Sequence, residues 1–365
     1  MGVELLPFRW PDGWSEEELI IASPFNCLWV EGTQSGAPLR DGLRVVTDAP
    51  AGVRLLEGIH PHIKISRRDD GTVEAGPTGK PWVESNGWSI ELHRALYPAA
   101  TLWVTFSPPE NRIAPASFYL RSVAETAAYG ARWVVTLDPE LVRALASKDP
   151  GARRTWDGLT ALSRFFSQKR EWASWQSVAA IGVISTFSGD AEFLSHEFLK
   201  LAARRPLPIR ILPATAAATL SWDGLKAIVV ADEAPLPAAV EEKLRKFSGA
   251  VFRQAKEQWE DPWLMAEQVH LRVGRQHDVI RLYNGSSANV RYARSADGRR
   301  AVVQVFAFGP PLRDVTVAVN QPWRTARLFA DTHLDPSPLR VVPSRFGSEL
   351  ALPRFEAWAA IELEA

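Results

Sequence analysis

Thr101-Leu-Trp-Val-Thr-Phe106 and Arg132-Trp-Val-Val-Thr-Leu-Asp138 flank an alanine-rich stretch, Ser117 to Tyr129, that stops at Gly130. The two outer runs are short and mainly apolar, the pattern of strands buried on both faces. The inner stretch repeats its apolar positions at helical spacing, and Gly130 supplies the left-handed stop that helices favour. Strand, helix and strand at this spacing make a right-handed β/α unit.

Upstream runs share this texture: Asn26-Cys-Leu-Trp-Val-Glu31, Gly42-Leu-Arg-Val-Val-Thr47, Val53-Arg-Leu-Leu-Glu57 and Lys80-Pro-Trp-Val-Glu84. Ile90 to Leu96 is a short helical candidate. Downstream, helices are predicted near Glu140–Ser147 and over Arg154–Trp172, the second with Leu159, Leu162, Phe165 and Phe166 on one face. Five or six strands fit in roughly 175 residues, whereas a closed eight-stranded barrel takes about 250. Residues 1–176 are therefore read as a partial or complete β/α, TIM-like barrel.

Residues 177–256 have their own rhythm. Strands at Val178–Ser185, Pro208–Leu212, Leu225–Asp232 and Ala250–Phe252 alternate with helices at Ala191–Arg204 and Ala238–Phe247, which reads as a flavodoxin-like, doubly wound domain. Its first turn, Ser185-Thr-Phe-Ser-Gly-Asp190, has one glycine where a dinucleotide fingerprint has three. A nucleotide or flavin receptor here is thus a second alternative, and no cofactor is expected. From His277 the period drops to two. Runs at Val279–Tyr283, Val290–Arg294, Ala301–Phe306, Val315–Val319, Thr325–Phe329, Leu339–Val342, Ser348–Leu352 and Ala357–Leu363 make residues 257–365 an antiparallel β-sandwich. The class is α/β, with an antiparallel β-sandwich after the two β/α domains.

Forty-two basic and 42 acidic residues cancel, which removes the electrostatic case for nucleic acid or an anionic membrane as a partner. No run approaches the roughly 18 apolar residues of a membrane span. Cys27 is the one cysteine, which excludes an intrachain disulfide and a cysteine-based zinc cluster. Met1 to Trp14 has neither a basic flank nor an apolar core, so a cytoplasmic protein is expected. Fifteen tryptophans are many, and seven lie in the first 133 positions: Trp10, Trp14, Trp29, Trp82, Trp88, Trp103 and Trp133. An indole offers a flat apolar face and one N–H, which suits a sugar ring; buried core is the alternative use.

The terminal run Ser348-Glu-Leu-Ala-Leu-Pro-Arg-Phe-Glu-Ala-Trp-Ala-Ala-Ile-Glu-Leu-Glu364 resembles the closing strands of the β-domain appended to many glycoside hydrolase barrels. With a doubly wound domain and a β/α barrel before it, the chain is similar in layout to the family 42 β-galactosidases. The resemblance implies a sugar-cleaving fold with working carboxylates at strand ends, and subunit assembly through the middle domain. In those families an Asn-Glu pair commonly carries the acid/base; this chain has no Asn-Glu dipeptide.

Glycoside hydrolysis needs two carboxyls, about 5 Å apart for retention or roughly 6.5–9.5 Å for inversion. Glu84 fits the acid best, inside Pro81-Trp-Val-Glu-Ser-Asn-Gly-Trp88 with an indole on either side, and Glu31 is its expected partner. Asp138 is a third candidate; preceding Pro139, it also suits a helix cap. Trp29, Trp82 and Trp88 are expected to stack on sugar rings, and Asn86 to bind a hydroxyl. His60 and His62, two apart, read as polar subsite residues rather than a metal site, because no third ligand follows by spacing. Ser66 to Lys80 holds too many turn residues for a regular element and reads as a long polar loop. No Gly-x-Ser-x-Gly and no Walker sequence occurs. The reading is a glycoside hydrolase; the first alternative is a non-catalytic, carbohydrate-binding or degenerate homologue.

Overall fold

The computed structural model describes residues 4–31, 42–59, 83, 85–108, 114–285 and 287–365, and the backbone of 65–67 and 73–75. The first region is built on short parallel strands. β1 (Pro7–Arg9), followed by helix α1 (Glu17–Ile21), pairs with β2 (Cys27–Trp29), which pairs with β3 (Arg44–Val46). β4 (Val53–Glu57) comes next. The segment predicted as irregular from Ser66 contains instead an antiparallel pair, β5 (Ile65–Arg67) with β6 (Val73–Ala75). Its turn-forming residues cluster between two three-residue strands, too short for an alternation to register in the sequence.

Helix α2 (Gly87–Leu96) leads into β7 (Thr101–Thr105), and helix α3 (Ala116–Ala128) into β8 (Ala131–Trp133). β4, β7 and β8 are parallel neighbours in that order. A bridge between Phe8 and Val135 joins the two halves, giving the order β3-β2-β1-β8-β7-β4. That is chain order around a ring, left open between β3 and β4 among the described residues.

Helices α4 (Pro139–Ala146) and α5 (Pro150–Gln168) each begin with proline behind an aspartate whose carboxylate accepts a backbone N–H, Asp138 from Leu141 and Asp149 from Ala152. The short α6 (Glu171–Ser174) follows. Inside, Phe8, Trp14, Phe25 and Trp156 form an aromatic cluster with centroids 5.3–6.0 Å apart. Full burial of each such ring contributes roughly 1.5–3 kcal/mol.

Gln176–Ser177 (β9), where the sequence reading places a domain boundary, is hydrogen-bonded to Ala293–Arg294 of the C-terminal sheet. β10 (Ile181–Ser185), helix α7 (Glu192–Arg204), β11 (Ile209–Pro213), β12 (Ala227–Val230), helix α8 (Ala238–Lys246) and β13 (Ala250–Arg253) then form a parallel sheet of order β11-β10-β12-β13. The short α9 (Gln254–Glu257) and α10 (Pro262–Val273) follow. α7 and α10 cover one face of this sheet together with Leu92 of α2, and α8 covers the other.

The remaining strands are antiparallel. β14 (Ile280–Tyr283), β15 (Ala288–Arg294), β16 (Arg300–Ala307), β17 (Val315–Val319), β18 (Thr325–Ala330), β19 (His333–Leu339), β20 (Val342–Pro343), β21 (Ser348–Leu352) and β22 (Trp358–Glu364) divide into sheets β14-β17-β21-β20 and β19-β18-β22-β16-β15-β9. The run predicted at Leu339–Val342 is split: β19 ends at Leu339, and β20 belongs to the other sheet. Pro336 and Pro338 obscure β19 in the sequence, but an edge strand tolerates proline. The core of the first region is continuous with the C-terminal sheet: Phe165 lies 5.5 Å from Trp358 and 5.3 Å from Phe329. Among the described residues, no helix is long and apolar enough to cross a membrane.

Candidate functional site

The carboxyl ends of β1, β2, β4, β7 and β8 form one edge, where side chains leave the core and strand-end carboxylates collect. Glu31 follows β2; its Oε1 accepts from Arg9 Nη1 at 2.7 Å, and its side chain is 64 % exposed. Asp138 lies just beyond β8 and is completely buried. One of its oxygens accepts from the Tyr119 hydroxyl at 2.6 Å and from Ala114 N at 3.2 Å; the other accepts from Leu141 N at 2.8 Å. Burial first, and then the bond to Asp138, push the Tyr119 hydroxyl far above its ordinary value, so it acts as a donor. Glu57, at the end of β4, is exposed with no partner among the described residues. Glu84, Trp82, His60 and His62 lie outside the described residues.

Asn86 is buried, and its carboxamide is used locally: Oδ1 accepts from Ile59 N and Nδ2 donates to Ile59 O, both at 2.8 Å. Gly58 makes this approach possible. A Cβ there would sit 2.5 Å from Val104 and 3.1 Å from Asn86 Oδ1. Trp29 is half-buried beside Trp103, 6.2 Å between centroids, in a small cluster with Cys27 and Val134. Burial pushes the Cys27 thiol up to about 11. Trp88 points to a different place, against His196 of α7 at 5.6 Å. Trp29 and Trp88 thus belong to separate clusters. Trp10, Trp14, Trp103 and Trp133 are core, each at most 5 % exposed.

The structure assembles one polar cluster that the sequence reading missed. Glu125, fully buried on α3, accepts from the Ser85 hydroxyl and from Gly87 N at 3.3 Å. The Ser85 oxygen accepts in turn from Asn289 Nδ2 of β15 at 2.9 Å. Burial raises the Glu125 carboxyl above the ordinary range, against the pull of these bonds and of Arg121. Nearby, Glu91 accepts from the Ser177 hydroxyl at 2.6 Å, and Arg291 donates to the Trp172 and Trp175 carbonyls. Trp88, Glu91, Tyr129, Asn289 and Arg291 border a cavity of 40 Å³. That volume suits water and is too small for a sugar ring. Its signal in the sequence was weak: Glu125 stands inside an apolar helix, where a carboxylate needs a partner that only the fold identifies.

At the carboxyl edge of the middle sheet a cleft of 390 Å³ opens where the strand order reverses between β10 and β12. Asp190, Asp232, Glu233 and Glu260 line it. Asp232 is buried and accepts from the Ser185 hydroxyl at 2.5 Å and Thr186 N at 2.8 Å. Four carboxylates repel a phosphate, which argues against a nucleotide at this position.

No protein-family model matches the sequence, and no curated protein matches it. Among solved structures, the α-L-fucosidase isoenzyme 2 from Paenibacillus thiaminolyticus superposes with a TM-score of 0.53 at 11 % identity, over 89 % of this chain and 69 % of that one. This chain shares the fold of that structure. A rhamnosidase from Novosphingobium sp. PP1Y is similar at a TM-score of 0.47 and 11 % identity, over 86 % of this chain and 34 % of that one. A β-galactosidase from Rahnella sp. R3 is similar at 0.44 and 11 %, over 77 % and 57 %.

Proposed function

We propose that this protein is a glycosidase-fold homologue that binds a carbohydrate at the carboxyl edge of its β/α strands without hydrolysing it. The observation that carries the reading is the state of Glu31 and Asp138, the two described strand-end residues expected to be catalytic; Glu57, at the end of β4, is exposed and without a partner among the described residues. Glu31 is neutralised by Arg9, and Asp138 spends both oxygens on Tyr119, Ala114 and Leu141. Asp138 is thereby left with no oxygen to protonate a glycosidic oxygen or to attack an anomeric carbon, and Glu31 offers only the oxygen that Arg9 does not hold. Trp29 is the half-buried indole proposed to stack on a ring, with Trp82, His60 and His62 as further subsite residues. Asn86 and Trp88 are proposed to support that edge rather than touch the sugar.

A hydrolase built on Glu84 is the second reading. Both neighbours of that residue are buried and pinned, Val83 through its carbonyl to Arg204 Nε at 3.0 Å and Ser85 to Glu125, so the backbone on either side is fixed. A panel of aryl glycosides, with direct measurement of sugar binding, separates the readings. Retained binding without turnover is expected. Turnover abolished by Glu84→Gln would establish the hydrolase instead. The family 42-like layout further suggests assembly through the middle domain, where Phe193, Trp263, Leu264 and Leu271 are exposed on α7 and α10.

A further inference from the structure

β14 is the outermost strand of its sheet, with β17 on one side. Asn320 N donates to Val279 O, so the hydrogen-bonded pairs with β17 recur at every second residue: Arg281 opposite Ala318 and Tyr283 opposite Thr316. The N–H and C=O groups of Ile280 and Leu282 therefore point away from β17. Among the described residues nothing takes them up. They face a cleft of 590 Å³ that is lined by the unbroken run of residues 277–285. A cleft against one face of a strand would be lined by alternate residues, so this one runs along the edge.

The antiparallel sheets protect their other edges. β19 carries Pro336 and Pro338, β20 has two residues of which one is Pro343, and β9 has two residues. β14, Ile-Arg-Leu-Tyr, has four residues and no proline. Its one charged side chain does not guard the edge: Arg281 is bound back to Asp278 and to the Arg275 carbonyl and stacks over Phe346.

We propose that this cleft receives an extended segment of a second protein, which adds to β14 as a further strand of the sheet. Donors and acceptors that alternate at strand spacing are the complement of an extended backbone, and Ile280 and Leu282 offer two of each. Ala180 and residues 204–208 form the wall opposite, which leaves the space to a single chain rather than to the edge of another folded sheet. Ala180, Leu207 and Ala288 supply an apolar part of the lining, so the incoming segment is expected to carry apolar residues at alternate positions.

The probe is a labelled peptide copy of the chain's own residues 314–320, which contain β17 and so already match the side chains of β14 on its paired side. Fluorescence anisotropy with the full chain is expected to show saturable binding at micromolar peptide. N-methylation of alternate peptide residues in one phase should weaken binding about tenfold, and in the other phase leave it unchanged, because only one set of N–H groups faces β14. Leu282→Pro, which deletes an outward N–H and no bond to β17, should weaken binding at least as much; Leu282→Ala, which keeps that N–H, should retain it. The methylated peptides test the edge even where the proline variant fails to fold. Absence of binding to the unaltered chain, equal weakening by both methylation patterns, or undiminished binding to folded Leu282→Pro would overturn the proposal. Self-association of the chain that Leu282→Pro abolishes would also overturn it, by giving the edge to a second copy.

Discussion

Asp138 and Glu31 both follow apolar strands, yet the protein uses them differently. Asp138 is enclosed and satisfies two backbone N–H groups and a hydroxyl, so its loss strands buried donors. Asp138→Ala is expected to cost about 3 kcal/mol in urea unfolding, combining a lost helix cap with unpaired buried groups. Asp138→Ser, which can still cap α4, should recover part of it. Glu31→Gln removes a largely exposed ion pair and should cost less than about 1 kcal/mol. Equal losses would mean that the Asp138 bonds contribute nothing beyond surface charge. In the sequence, Asp138-Pro139 already announced the cap; that Glu31 would meet Arg9, 22 residues earlier, depends on β1 lying beside β2.

At the scale of elements, long apolar periodicity was legible and short or proline-bearing elements were not. α3, α5, β10 and β16 stand close to where their patterns place them, because each must bury an unbroken stripe. β1 and β5 have three residues each, too few to display a period. Asp-Pro opens α4, α5 and α10, but the same pair at Asp335-Pro336 lies in edge strand β19, so the dipeptide acquires its meaning from its neighbours. α10 also leaves Leu264 and Leu271 in solvent, 44 % and 73 % exposed. Assembly through the middle domain predicts an oligomer at micromolar concentration, and Leu271→Glu should dissociate it with little change in unfolding. Light scattering that finds only monomers of the unaltered protein would remove the proposal.

Across the whole molecule, Ser85, Glu125 and Asn289 tie three parts of the chain into one buried cluster, the serine and the asparagine 204 residues apart. The Glu125 carboxyl has a raised pKa in the folded protein, so folding takes up a proton there. Its contribution is fully present below the ordinary carboxylate range and declines as pH rises through the folded value. Stability of the unaltered protein should therefore fall relative to Glu125→Gln as pH increases from about 4 to about 8. Parallel curves in thermal unfolding would show that Glu125 titrates as an ordinary carboxyl. The amino-acid order by itself determined the succession of parallel β/α units, parallel sheet and antiparallel strands, because hydrophobic period is a local property. Which carboxylates are engaged and which tryptophans are core were decided only by tertiary structure, because each depends on partners distant along the chain and close in space.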